Sequence, residues 1–464
     1  MSLPKGSEAK ISIDIESFRR SLGDVASRLD EGGTRDRVRM IAEAMMTRHD
    51  SVMRMRFGSD SACVGATDRV DWYSLGFYPA RAIKPSRTLE YASGDFFLQD
   101  AGSLLALAAC EADLKAPEPQ LVCDLCAAPG GKASGLLESI GDGFLLANET
   151  VKSRIPPLAF NLARTGSDRY AISNLDPDEL AERIPGTFDL VLADVPCSGQ
   201  MLLSRGKQSR SALGESQIEH NAMRARRILM AAVKLLRPGG KLVLSTCTFA
   251  TQENESQVRW LLDSDHAALR AAPLERLTPY LSSNSGCTYR LWPDIHRCAG
   301  SFAARMINEA ETSNESSQSR TSKRRRQAGR RDTPPVEDLE RWYGSVPSRL
   351  DQRGDCCYAW PADAPDWTES IACRGPEVAY RTGKTWKPSH DSARSRGGIM
   401  RGAQMMEVDR ETAKTFLRGE AIPCPQTGWN VVRWEGRGLG GVKATKGLGK
   451  NQLPSACRFE IREA

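Results

Sequence analysis

The sequence predicts an α/β protein. Its centre is a doubly wound, Rossmann-like parallel sheet, with an N-terminal helical extension and a C-terminal β-rich module. Three observations carry this reading. Short apolar runs alternate with amphipathic stretches between residues 121 and 262, the pattern of a parallel sheet wrapped by helices. A stretch of low hydrophobicity, 309–335, interrupts the chain after that alternation. Beyond it the chain is rich in Gly and Trp and in short apolar runs such as 429–434.

The elements follow in order. Residues 18–29 and 38–55 space their apolar side chains as helices do. Residues 96–110 read as one buried helix. A strand at 121–125 leads through a Gly-rich turn into a helix at 133–140. Strand 143–147 and helix 153–164 repeat the unit, followed by a weak strand at 170–173 and a strong one at 188–193. Residues 216–236 form a long amphipathic helix. Arg237-Pro238-Gly239-Gly240 stops it, and 241–245 begins a fifth strand. Helix 252–262 and an antiparallel pair at 286–292 and 300–306 complete the unit. The expected domains are an accessory helical region at 1–85, a catalytic domain at 86–308, a basic linker at 309–335 and the C-terminal module at 336–464.

Composition narrows the class. The 464 residues are 40% hydrophobic and 26% charged, as in globular proteins. No apolar run approaches the ~18 residues of a membrane span, and no apolar signal core follows Met1, so the expectation is a soluble cytoplasmic protein without membrane contact. The 13 Cys follow no disulfide framework and are read as free thiols. Net charge is +6, but residues 316–331 hold seven basic side chains and no acidic one, and 371–464 are also net basic. The rest is net acidic. That distribution is the footprint of a polyanion binder.

Three motifs fall at strand ends. Asp124-Leu125-Cys126-Ala127-Ala128-Pro129-Gly130-Gly131-Lys132 joins a strand to a helix, where small residues let the backbone approach a ligand and helix N–H groups face it. Glu149 ends the next strand, placed to accept from ribose hydroxyls. The set lacks the Gly-x-Gly-x-x-Gly and Gly-Lys-Ser/Thr fingerprints, so a nucleoside-type cofactor fits better than a dinucleotide or a phosphate loop. Asp194-Val195-Pro196-Cys197-Ser198-Gly199 follows the fourth strand, and Ser245-Thr246-Cys247-Thr248 ends the fifth. Ligands of open parallel sheets bind outside the C-terminal strand ends, so Asp194, Cys197 and Cys247 converge on one crevice. A thiolate is a strong nucleophile and a good leaving group. The residues alone do not say which Cys attacks. Cys123-x-x-Cys126 has no second pair and the chain has five His, so no metal is expected.

These motifs resemble those of the Sun-type (Nop/Sun) RNA cytosine-5 methyltransferases: Asp-x-Cys-Ala-Ala-Pro-Gly-Gly-Lys, Asp-Ala-Pro-Cys-Ser-Gly and Ser-Thr-Cys-Thr in that order. Val195 replaces the usual Ala. Gln99-Asp100, Arg154, Asn161, Arg237-Pro238-Gly239-Gly240, Glu253-Asn254-Glu255 and the stretch from Arg290 to Phe302 extend the likeness over about residues 85–306, with Ser301 in place of an aromatic residue. The segment from Gly428 to Pro454 is similar to the PUA-like RNA-binding module of bacterial ribosomal-RNA members.

The resemblance implies S-adenosylmethionine as cofactor, with residues 126–132 wrapping it, Glu149 on the ribose, and Asp176 on the adenine amine. It implies Cys247 as nucleophile towards cytosine carbon 6, Cys197 as the group that assists release, and Asp194, with Lys132 beside it, on the base. The expected substrate is small-subunit ribosomal RNA, acted on by a monomer. A transfer-RNA methyltransferase and a non-catalytic ribosome-assembly factor are the alternatives. The basic stretch Arg205-Gly206-Lys207-Gln208-Ser209-Arg210 replaces an acidic one in many members and is placed to grip phosphates.

Overall fold

The computed structural model describes residues 13–30, 36–61, 65–80, 83–205, 208–263, 268–282, 286–310, 334–395 and 400–461. Its centre is an eight-stranded sheet. Five parallel strands run in spatial order Leu236–Thr246, Phe188–Asp194, Leu121–Asp124, Phe144–Asn148, Tyr170–Ser173. Ser301–Asn308 joins antiparallel at the first edge and carries Thr288–Leu291 and Leu269–Ala271.

Alternation along the strands makes the sheet two-faced. Val122, Leu145, Leu190, Leu192 and Val243 pack with Leu136 and Leu158 of the helices Gly131–Ser139 and Ile155–Ala163. Cys123, Leu146, Val191, Leu242 and Leu244 pack on the other face with Leu180, Ile228 and Leu229 of the helices Pro177–Arg183 and Glu215–Leu235. Chain order reverses at Leu121–Asp124, whose neighbours are the next strand on one side and Phe188–Asp194 on the other. A crevice opens at such a switch point.

The N-terminal part departs from expectation. Among its described residues the α-helices are Ile15–Leu22, Asp24–Asp30 and Arg37–Met45. Ser51–Met55, Ala66–Val70 and Tyr73–Pro79 are strands, and Phe96–Asp100 joins them in a four-stranded antiparallel sheet. The boundary at 85 therefore cuts through a sheet, and 96–110 is a strand followed by the helix Leu104–Ala109. Cross-strand pairing from Ser51↔Asp100 to Met55↔Phe96 overrides local helical spacing. This sheet is bolted to the central domain by Arg54 and Arg56, which share the half-buried Glu138 at 2.5 and 3.2 Å.

The C-terminal region is two modules, not one. Arg349–Arg353, Cys356–Trp360, Glu377–Thr382 and Thr385–Pro388 form one antiparallel sheet. A five-stranded sheet between residues 404 and 451 forms the other. The first closes the open edge of the central sheet: Ile172 exchanges backbone hydrogen bonds with Cys373 and Arg374, and Trp367 packs edge-on against Phe144 and Phe188. The second builds Leu89 into its core. The basic residues 316–331 of the expected linker lie outside the described residues.

Candidate active site

Small residues after Asp124 turn the chain sharply. The Ala128–Pro129 peptide is cis and Gly130 has φ +108°, a conformation that L side chains avoid. Asn161 Nδ2 donates to the Pro129 carbonyl at 2.8 Å, and Arg154 Nη2 to that of Ala128 at 2.5 Å. Asn148 ties this turn to the neighbouring strand ends: its carbonyl accepts from the Ala127 N–H, and its Nδ2 donates to Leu125 and Leu175 carbonyls.

Glu149 is buried at the mouth. Its Oε1 accepts from the Val151 N–H at 2.8 Å. Its Oε2 lies 3.0 Å from Arg154 but receives no well-aligned hydrogen bond, so it keeps accepting capacity. Two further buried groups point to a polar ligand beside the turn. Both carboxylate oxygens of Asp124 lack a well-formed hydrogen bond, and burial, with Asp194 adding to it, pushes this carboxyl up to about 7. Both amide atoms of Gln99 are also buried without partners, against Gly131. Sequence reasoning noted Gln99 only as part of a likeness; its placement depends on the unforeseen N-terminal sheet. A glycine turn, an accepting carboxylate and unsatisfied polar atoms together suit a nucleoside-amino acid cofactor such as S-adenosylmethionine.

Asp176 directly follows Leu175, which Asn148 binds, and its carboxylate is engaged by other protein groups. It caps the helix Pro177–Arg183, accepting from the Asp178 N–H, and both its oxygens pair with Arg227. That hydrogen bonding, more than anything else, holds its carboxyl below the ordinary range.

The two cysteines meet. Asp194 and Ser245 are register partners on adjacent parallel strands, which brings the following loops together. Cys197 Sγ lies 3.4 Å from Cys247 Sγ. A buried clamp joins the loops: Glu253 Oε1 and Oε2 accept from the Ser198 N–H at 2.8 Å and the Ser198 hydroxyl at 2.6 Å, and that hydroxyl also meets Thr248 Oγ1. Met201 N–H donates to the Cys247 carbonyl, and Gln200 Oε1 accepts from the Phe249 N–H. Burial raises the Glu253 carboxyl, while the Ser198 donors oppose that shift. The clamp is a functional element that sequence reasoning missed, although Glu253 stood in a noted motif. Below it, Phe249 stacks on Trp292 and meets Phe18 edge-on, so the N-terminal helices brace the Cys247 loop.

Lys132 Nζ donates to Asp194 Oδ2 at 2.8 Å. Burial disfavours the ammonium and is the largest single influence, but the Asp194 charge and hydrogen bond, with Cys247 and Asp124 adding to them, together hold the Lys132 pKa above its ordinary value. The Cys197 thiol is pushed well above the ordinary thiol range, first by hydrogen bonding to Cys247 and then by burial. Cys126 is raised by burial among carboxylates, which marks it as an inert wall of the turn. Among the described residues no group of His, Cys, Asp or Glu is arranged to hold a metal ion, and no helix is long and apolar enough to cross a membrane. Lys207 and the side chains of Arg205 and Arg210 lie outside the described residues.

Known proteins are similar to this chain. Residues 112–307 match the family model described as 16S rRNA methyltransferase RsmB/F, and residues 403–459 match the PUA domain of methyltransferase RsmF. The ribosomal RNA small subunit methyltransferase F of Aeromonas salmonicida is 28% identical over 416 residues, 83% of this chain and 84% of that one. Its Escherichia coli counterpart is 34% identical over 246 residues, 51% of this chain and 50% of the relative. A methyltransferase homologue from Pyrococcus horikoshii superposes with a TM-score of 0.50 at 27% identity, covering 62% of this chain and 99% of the other. Both modules match in chain order, so the chain is similar to the RsmB/F methyltransferases in its central domain and near its C-terminal end.

Proposed function

We propose that this chain is an S-adenosylmethionine-dependent RNA (cytosine-5) methyltransferase acting on small-subunit ribosomal RNA, and that it works as a cytoplasmic monomer through a covalent cysteine–cytosine adduct. The observation that carries the reading is the contact of Cys197 and Cys247 beside the Asp194–Lys132 pair. Both relatives named above are ribosomal RNA small subunit methyltransferases. The matched PUA module, with Lys443, Lys446 and Lys450 exposed, supplies an RNA-gripping surface.

The cofactor, when bound, supplies an electrophilic methyl group. Residues 126–132 and Glu149 hold it, with Asp124 and Gln99 supplying polar partners for its charged end. Carbon 5 of cytosine is a poor nucleophile. Attack of the Cys247 thiolate on carbon 6 makes carbon 5 electron-rich, while Asp194, oriented by Lys132, stabilises the protonated ring nitrogen. Cys197 keeps its proton until release. It then passes that proton to the departing Cys247 sulfur and takes up the one lost from carbon 5, so the carbon–sulfur bond breaks and the ring is restored. The target base must leave its stack to reach so recessed a site.

The test is bisulfite sequencing of ribosomal and transfer RNA from a deletion strain, with tritiated-methyl transfer to each RNA by the purified protein. One cytosine of small-subunit RNA loses its mark and regains it with the protein. Loss confined to transfer RNA overturns the substrate assignment, and RNA retention with no methyl transfer overturns the enzymatic one.

A further inference from the structure

A cavity of about 140 Å³ lies between the central domain and the first C-terminal module. Tyr170, which lines it, starts its strand, whereas the cofactor turn gathers at the opposite, C-terminal strand ends. The cavity is thus remote from the chemistry described above. Among the described residues, its lining includes three acids, Asp168, Glu377 and Asp391, and no basic side chain.

The polar atoms around it are unevenly satisfied. Glu377 is paired with Arg374 at 3.3 Å and accepts from Ser389. Asp391 is half-buried and forms no ion pair or side-chain hydrogen bond as acceptor among the described residues, and desolvation, with the Glu377 charge adding to it, pushes its carboxyl up to about 7. The nearby cations serve elsewhere: Arg374 pairs with Glu377, and Arg394 donates to the Ala92 carbonyl. The side chain of Tyr170 is 1% exposed, its hydroxyl has no partner among the described residues, and it feels the Asp391 charge. Ser395 Oγ is buried and has no partner among the described residues. Trp360 supplies an aromatic wall. Buried polar groups are normally satisfied, so this set calls for a ligand that donates hydrogen bonds and carries positive charge.

We infer that this cavity is a binding site for a small aliphatic amine, with its ammonium on Asp391 and the Tyr170 hydroxyl. A metal ion suits it poorly, because the described carboxylates nowhere converge tightly enough to coordinate one. An amine of several heavy atoms spans the separated acids, and its stem lies along Trp360. Bound there, it links the module that closes the sheet edge to the domain it covers.

Calorimetry of the full chain without RNA tests this, using 1,4-diaminobutane as the probe and 1,4-butanediol and Mg²⁺ as comparisons. The expected result is one saturable diamine site that the diol does not fill and Mg²⁺ does not displace. Asp391→Asn should weaken it at least tenfold, as losing a charge-assisted hydrogen bond does. Tyr170→Phe, which removes one oxygen and leaves the packing, should weaken it several-fold without shifting the ligand-free melting temperature. No saturable site, displacement by Mg²⁺, or unchanged affinity in both variants overturns the inference and leaves the cavity to water.

Discussion

Cys197 and Cys247 are 50 residues apart in sequence and 3.4 Å apart at their sulfurs. Neither helix nor hairpin brings them together. They meet because parallel strands Phe188–Asp194 and Leu236–Thr246 end side by side. Glu253 then fastens the loops by accepting both Ser198 donors. The hydrogen bond between the sulfurs, with burial, pushes the Cys197 thiol well above the ordinary thiol range.

The proposed division of labour between nucleophile and release group predicts opposite outcomes for the two thiols. Cys247→Ala should abolish methyl transfer and leave cofactor affinity intact. Cys197→Ala should accumulate enzyme covalently joined to RNA, because the adduct forms and is not released. Denaturing gels of protein mixed with RNA and cofactor read both. A trapped adduct in Cys247→Ala and none in Cys197→Ala would reverse the roles.

Glu149 retains one carboxylate oxygen without an aligned donor. Glu149→Ala should weaken S-adenosylmethionine binding by about 1.5–3 kcal/mol, the worth of a charge-assisted hydrogen bond. Calorimetry decides it. Because Arg154 also pairs with Glu149 and holds the Ala128 carbonyl, Arg154→Ala should weaken binding too, and the double variant should fall short of additivity.

Asp124 predicts a pH dependence of stability. Its folded pKa, about 7, exceeds the ordinary value of 3.8. The folded chain therefore holds a proton that the unfolded chain releases. Stability from this group is present below pH ~4 and is lost as pH rises to ~7, up to about 4 kcal/mol at ~1.4 kcal/mol per pH unit. Denaturant midpoints of cofactor-free protein at pH 5 and pH 8 should differ, and Asp124→Asn should reduce the difference. Asp391, raised similarly, accounts for part of what remains. An undiminished difference in Asp124→Asn would place the proton elsewhere.

How far the site was legible follows from where its information lies. Asp194, Cys197, Cys247 and the 126–132 turn stand at strand ends, and strand ends can be read from apolar runs bounded by turn residues. The meeting of the two loops needed only the order of two strands. Glu253 and Gln99 were opaque because their importance lies in partners, or missing partners, fixed by tertiary packing. Residues 96–100 show the same limit. Their apolar run reads as part of a buried helix, but periodicity does not separate short helix from short strand, and the pairing with Ser51–Met55 decides. The two C-terminal modules merged in the reading because both are short-stranded, and nothing local says that Trp367 belongs against Phe144 and Phe188.

Those ring pairs also determine how RNA binding should be dissected. Removing residues 336–464 would strip the cover from Tyr170–Ser173 and take Trp367 from the central core, so cofactor affinity would fall along with RNA affinity. Surface charge is the cleaner probe. Lys443, Lys446 and Lys450 are exposed on the sheet of the matched PUA module, and none of them packs into its core. Changing all three to Gln should weaken RNA binding and make its salt dependence shallower, by roughly one unit of the log–log slope for each phosphate that is no longer neutralised. The fold and the cofactor site should be untouched. Fluorescence anisotropy across a salt series, with cofactor calorimetry alongside, separates the effects. A slope that stays the same would show that these lysines do not meet phosphate, and would move the RNA-gripping surface to another face of the protein.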